Sequence, residues 1–199
     1  MKEKFLDFSI NLIEKYQNIS EGDIPKLRYG LEGLYLTFTK MIVIFLLAIV
    51  LGIFKEILIL LFFFNIIRFT GFGFHARKSS ECLFLSILSF VLMPFLLLRL
   101  DISKNMILII GILGTIYLFF YAPADTIKRP LPNKKKRIIR KAITVITSII
   151  FTILAFLLND YTISILFVSS IAIEDIMVSP ITYKVFGQPY RNYLNYRKA

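Results

Sequence analysis

Apolar residues run along this chain in long blocks separated by short polar gaps. Six blocks stand out, roughly Leu34–Phe54, Ile57–Phe74, Leu83–Leu98, Asn105–Tyr121, Ala142–Leu158 and Tyr161–Ser179. A helix crosses a bilayer with about 20 mostly apolar residues, within a range of about 17–25. The blocks therefore predict six transmembrane helices. The third is marginal in length, which leaves a count of five open, and Pro94 predicts a kink in it. The links between blocks one and two, three and four, and five and six are very short. Residues 1–20 carry a different pattern. On a 3.6-residue wheel Phe5, Phe8, Leu12 and Tyr16 share one side, widened by Leu6 and Ile13, while Glu3, Lys4, Asp7, Asn11, Glu14 and Lys15 take the other. This segment is too polar to span and predicts an amphipathic helix lying at the membrane interface. It lacks the apolar region and small-residue cleavage site of a signal peptide. With no internal repeat and no soluble segment of domain size, the expected architecture is one all-α integral membrane domain over residues 1–199.

Composition agrees with that pattern. The chain is 57% hydrophobic with a mean hydropathy of +0.72, against roughly 45–50% apolar residues in soluble domains. Its net charge of +11 suggests nucleic acid until the cations are placed. With the N-terminus in the cytosol and sides alternating, all of the 24 lysines and arginines except Lys55, Arg99 and Lys104 fall on the cytosolic side. That asymmetry sets orientation, with both termini cytosolic, and assigns the charge to membrane-flanking loops, not to nucleic acid. A single cysteine and a single histidine exclude an internal disulfide and a Cys/His structural zinc site. No metal or cofactor is called for.

Those two residues, His75 and Cys82, lie in the gap GFGFHARKSSEC between blocks two and three. On one continuous helix they would share a face about 10 Å apart, too far for proton transfer. Gly71 and Gly73 permit a turn instead. A tight hairpin then brings His75, at the mouth of one helix, toward Cys82, at the start of the next. With Ser79 or Ser80 as N-cap, Cys82 falls in the first helical turn. There the unpaired N–H groups and the positive end of the dipole favour a thiolate, with Arg68 and Arg77 adding to the positive field. The residues alone leave two readings: a base and nucleophile at the cytosolic membrane edge, or a packing cysteine beside a solvated histidine.

Charges inside the apolar blocks are costly and normally face protein or water. Arg68 lies in block two, and Glu174 and Asp175 near the end of block six. Arg68 pairs with Glu174 or Asp175, or else all three reach the aqueous surface. If Arg68 and Glu174 pair, exchanging their charges restores what either single change removes. The loop YAPADTIKRPLPNKKKRIIRK concentrates eight cations, including Lys134, Lys135 and Lys136. It serves topology and anionic lipid, or an acidic partner. Asp125, alone among those cations, orients His75 or pairs with a lysine. The third member of a catalytic set stays open among Asp125, Glu81 and a backbone carbonyl.

The combination of Arg68, GFGFHA with Gly73 and His75, Cys82, then YAPADT, KRPL and the basic cluster to Lys141 resembles the AgrB-type accessory gene regulator proteins. The resemblance covers the whole chain; where that family has Gly-Gly-Tyr-His, this sequence has Gly-Phe-His. It implies a membrane cysteine endopeptidase of bacterial peptide quorum sensing, with the active site on the cytoplasmic face of the cell membrane. His75 and Cys82 would be catalytic. Arg68, Gly73, Asp125, Glu174 and Lys134, Lys135 and Lys136 would support the site or bind substrate. The implied substrate is an AgrD-type propeptide with an amphipathic N-terminal part and an acidic tail, and the implied assembly is a homodimer. A small transporter or exporter, with His75 and Cys82 incidental, is the competing reading. A lipid-headgroup transferase is disfavoured, because Asp125, Asp160 and Asp175 are too scattered to cluster around a metal.

Overall fold

The computed structural model of the chain describes residues 2–17, 20, 22–74, 78–127 and 130–196, with backbone only at 195 and 196. Among them the chain is helical, with one isolated parallel bridge, Phe72 to Ala124, and no strand. Two compact units divide it, residues 1–47 and 48–199.

The first unit holds α1 (Lys2–Tyr16) and most of α2 (Ile24–Val50). Lys2 pairs with Glu32 at 2.6 Å, Arg28 with Asp7 at 3.1 Å and also with Glu3, and Phe5 lies 5.2 Å from Tyr35. Leu6 and Ile10 are buried, while Phe8, Leu12 and Tyr16 present apolar surface outward. The helix α2 starts ten residues before the expected Leu34, because nothing in 24–33 breaks it and Pro25 suits a first turn. It stops at a left-handed glycine. Gly52 has φ +70°, its N–H bonds Ile49 O at 3.1 Å, and Ile53 N–H bonds Ala48 O at 2.9 Å.

The second unit is built around α8 (Tyr161–Val178), twelve of whose residues are buried. The helices α3 (Phe54–Gly71), α6 (Lys104–Tyr121) and α7 (Lys134–Leu157) pack against it. Between α3 and α6 runs a rod made of α4 (Ser79–Ile87), a π-helical turn (Leu88–Leu92) and α5 (Met93–Leu97). Pro94 has no N–H to continue the α ladder, and the wider turn stands immediately before it. Short α9 (Pro180–Val185) and α10 (Tyr193–Tyr196) follow α8. Side-chain caps mark several starts: Ser103 accepts from Met106 N, Asn133 from Lys136 N, and Asp160 from Ile163 N. The Asn133 cap lets α7 begin eight residues before the expected Ala142, so most of the basic cluster is helix and not loop.

Aromatic stacking joins three helices: Phe63 lies 4.2 Å from Phe167 and 5.6 Å from Phe151. Polar pairs lie inside the bundle, with Thr70 to Thr144 at 2.9 Å and Thr115 to Ser148 at 2.7 Å. Close helix approach uses glycine: a Cβ on Gly111 would stand 2.7 Å from Thr152, and one on Gly114 would stand 2.8 Å from an Asp175 oxygen. Five helical rods are long and apolar enough to cross a membrane: α2, Ser79–Leu97, α6, α7 and α8. The expected second span, Ile57–Phe74, is α3, shifted toward the N-terminus and as long as α6 and α8. It falls outside that set because it carries Lys55, Glu56 and Arg68.

Gly111→Val should lower the thermal midpoint of the purified protein, since stiff, β-branched Thr152 cannot yield; overpacking of this kind costs about 1–3 kcal/mol. Gly33→Ala, with open space around it, should leave the midpoint unchanged or raise it. Size-exclusion recovery after heating in detergent reads both.

Candidate functional site

The residues immediately before His75 are held from three directions. After Gly71 the helix α3 ends, and Phe72 (φ 61°) and Gly73 (φ +103°) turn the chain back. Gly73 N–H bonds Ala124 O at 2.7 Å, Ala124 N–H bonds Gly71 O at 3.1 Å, and Phe74 N–H bonds Met177 O at 2.7 Å. A Cβ on Gly73 would stand 2.7 Å from Met177 O, so both its φ and its surroundings require glycine. Arg68 completes the clamp. Its guanidinium donates to Phe72 O, to Phe74 O at 2.7 Å and to Gly73 O at 3.3 Å. From α7, Arg140 donates to Phe69 O at 3.0 Å, placing a second cation at the negative end of α3.

Arg68 also forms the expected ion pair with Glu174, at 3.6 Å. Glu174 is fully buried in α8, and neither of its oxygens has a hydrogen-bond partner. Gly71 makes room for it, since a Cβ there would lie 3.1 Å from the Glu174 carboxyl carbon. Asp175 turns instead toward Gly114 on α6. The sequence offered both acids to Arg68, and helix rotation assigns the pair to Glu174.

Cys82 is partly buried in the first turns of α4. The N-cap is Lys78, with extended backbone (φ −96°, ψ 141°) and no side-chain cap, rather than Ser79 or Ser80. Cys82 N–H is thereby already committed, to Lys78 O at 3.2 Å. Glu81, on the same turn, pairs with Lys78 at 3.7 Å. His75 and Arg77 lie outside the described residues.

The turn 122–125 forms the opposite wall. Asp125 is 2% exposed. Burial pushes its carboxyl up from the usual range, while backbone N–H groups of Leu131, Tyr193 and Asn192 pull it back down. The Leu131 N–H reaches Asp125 Oδ2 at 3.2 Å. The C-terminal segment grips the same turn: Tyr183 donates to Asp125 O at 3.0 Å, Asn192 Nδ2 donates to it at 3.2 Å, and Tyr190 donates to Tyr121 O at 3.2 Å. Phe74 packs edge-on against Tyr183 with centroids 5.8 Å apart. Beside the turn is a cavity of about 250 Å³. Lys134, Arg137 and Lys141 line it from α7, and Arg191 lines it from the C-terminal segment. Lys134, Lys135 and Lys136 are all exposed, and of these only Lys134 reaches the cavity. Among the described residues no group of three His, Cys, Asp or Glu side chains could hold a metal.

Sequence reasoning passed over Tyr183, Asn192 and Met177, whose roles depend on long-range packing. It noticed Gly71 only as a helix breaker. The i, i+3, i+7 spacing of Lys134, Arg137 and Lys141 was a usable signal once residues 134–141 are read as helix.

The profile of the family described as AgrB: Accessory gene regulator B matches residues 7–178. A putative AgrB-like protein of Clostridium acetobutylicum is 31% identical over 99% of this chain and 94% of its own length. One from Listeria monocytogenes is 30% identical, with 98% and 95% covered. An accessory gene regulator protein B of Staphylococcus aureus is 29% identical, with 89% and 94% covered. No solved structure matches. The family match over residues 7–178 and the 31% identity across 99% of the chain agree: the chain belongs to the accessory gene regulator B family.

Proposed function

We propose that this protein is a membrane cysteine endopeptidase that removes the acidic C-terminal tail of an AgrD-type propeptide. The observation that carries the reading is the clamp: the four residues preceding His75 are fixed by α8, the 122–125 turn and Arg68, while Cys82 lies in the first turns of a separate helix. Holding the segment that leads into His75 favours the pre-organisation that proton transfer between two side chains requires. In the reaction, His75 takes the proton of the Cys82 thiol. The thiolate attacks the carbonyl that joins the acidic tail to the small signalling core, which lies between the tail and the amphipathic N-terminal part. The tetrahedral intermediate collapses, the C–N bond breaks, and the tail amine leaves with the proton held by His75. The core remains as a thioester on Cys82. A thiol or hydroxyl within the core then attacks that carbonyl, and Cys82 leaves and regains a proton through His75. The products are the free tail and a thiolactone or lactone ring. Water must stay out of the second step, which suits a site at the membrane edge.

In this reading α3 serves as the sixth span, the termini and the site face the cytoplasm, and α1 lies on the inner leaflet through Phe5, Phe8, Leu12 and Tyr16. The protein works as a homodimer amid anionic lipid. The cation-lined cavity beside Asp125 supports an acidic substrate. The exporter reading draws on the buried oxygens of Glu174 and Asp175 that lack a hydrogen-bond partner; alkylating Cys82 separates the two, because it stops proteolysis and spares transport.

Cys82→Ala and His75→Ala should each abolish tail release from a co-expressed propeptide while the protein stays in the membrane; continued cleavage by either variant refutes the assignment. Intact-mass analysis of the wild type should show a substrate-sized adduct on Cys82, the propeptide less its tail. Because Arg68 holds three carbonyls as well as Glu174, exchanging charges between positions 68 and 174 should not restore cleavage. Arg68→Lys should slow tail release by about 10²-fold, the scale of a small misplacement of reacting groups, and Glu174→Gln by less.

A further inference from the structure

Among the described residues Tyr183 is the largest fully buried side chain. It stands in α9, and no step of the reaction calls on its phenol. Its ring and its hydroxyl reach two different anchors of the turn that follows α3. The ring meets Phe74 edge-on, with centroids 5.8 Å apart. The hydroxyl donates to Asp125 O at 3.0 Å and lies 3.4 Å from Ala124 O. Ala124 O is the carbonyl that also accepts the Gly73 N–H, at 2.7 Å. One side chain therefore touches residue 74 and braces the carbonyl that holds residue 73. His75 is the next residue in the chain.

Burial gives this contact its leverage. Tyr183 is 0% exposed, and Ala124 and Asp125 are buried beside it, so water does not take the place of a lost hydroxyl. Burial also pushes the phenol up from its usual range, so it stays protonated and donates. Tyr190 packs on the ring with centroids 5.2 Å apart, and the Gln188 N–H bonds Tyr183 O at 2.8 Å. A side chain locked in this way holds a neighbouring site to a narrow geometry. The turn keeps other supports without the hydroxyl: Asn192 Nδ2 also donates to Asp125 O, at 3.2 Å, and the Leu131 N–H bonds the Asp125 carboxylate at 3.2 Å. Removing the hydroxyl alone therefore tests precision more than folding.

We propose that Tyr183 is a positioning residue for the cleavage: its ring and hydroxyl hold Phe74 and the Ala124 carbonyl so that His75 meets Cys82 in register. The role rests on the peptidase reading above. Tyr183 is sealed from any substrate, so it acts on the rate of the chemical step and not on peptide binding.

The test uses the full-length protein in phosphatidylcholine nanodiscs and a synthetic propeptide whose tail carries glutamates. Tyr183→Phe keeps the ring and removes only the hydroxyl. It should lower kcat for tail release about tenfold, the scale of a modest misplacement of reacting groups, with KM unchanged. Hydrogen exchange at the Gly73 amide, resolved by electron-transfer fragmentation, should quicken in the same variant. Tyr161→Phe is the control. It deletes a phenol bonded to Leu97 O at 3.3 Å, at the other end of α8, and should leave kcat and Gly73 exchange as they are. Should Tyr183→Phe fail to fold, Asn192→Ala removes the other side-chain donor on Asp125 O and should lower kcat by less, again with KM unchanged. A wild-type kcat in the variant that folds overturns the role. So does a loss confined to KM, or an equal loss of kcat in Tyr161→Phe. Quickened Gly73 exchange in a protein whose wild type never cuts the propeptide upholds the bracing and refutes the peptidase. Cutting by Tyr183→Phe at the full wild-type kcat does the reverse.

Discussion

One guanidinium does three jobs at the end of α3. Arg68 neutralises a fully buried carboxylate, satisfies the carbonyls of the three residues just past the helix, and fixes the direction in which the chain leaves it. A cation in an apolar interior is costly unless paired and fully hydrogen-bonded. Here the backbone supplies the acceptors that Glu174 alone does not. If the side chain is shortened, the carbonyls of residues 72–74, the carboxylate and the turn lose their partner together. The glycines at 71 and 73 follow from the same constraint, since one clears space for Glu174 and the other for Met177 and the backbone reversal.

This arrangement links distant parts of the sequence. Gly73 is fixed through Ala124, Phe74 through Met177, and the 122–125 turn through Tyr183 and Asn192. The segment after the last long helix is thus structural to the site. Asp125 belongs to the same network. Its carboxylate is occupied by main-chain N–H groups, which makes it the organiser of a turn around which the cations gather.

Much of this was readable beforehand, for physical reasons. Long apolar blocks report where the helices lie because the bilayer sets their length, although the caps at Ser103 and Asp160 went unread. Arg68 and Glu174 announced themselves by being charged in apolar surroundings. Block boundaries were less legible. Hydropathy falls where a helix leaves lipid, yet α2 and α7 continue as helices well past that point, so residues 134–141 read as loop when they are two turns of α7. The choice between Glu174 and Asp175 needed helix rotation, which a run of uniformly buried residues does not encode. Tyr183 and Asn192 carried no local signature, because their partners lie 58 and 67 residues away.

The position of α8 has a consequence for biosynthesis. Two-thirds of its apolar window is buried, 67% against 11–28% for the other long rods, and it is the last of them to leave the ribosome. Until it arrives, Arg68 has no carboxylate and Phe63 no stacking partner in Phe167. The earlier helices must wait in lipid with their polar faces uncovered, so a ribosome stalled before residue 161 leaves an orphan for membrane quality control rather than a partly working protein.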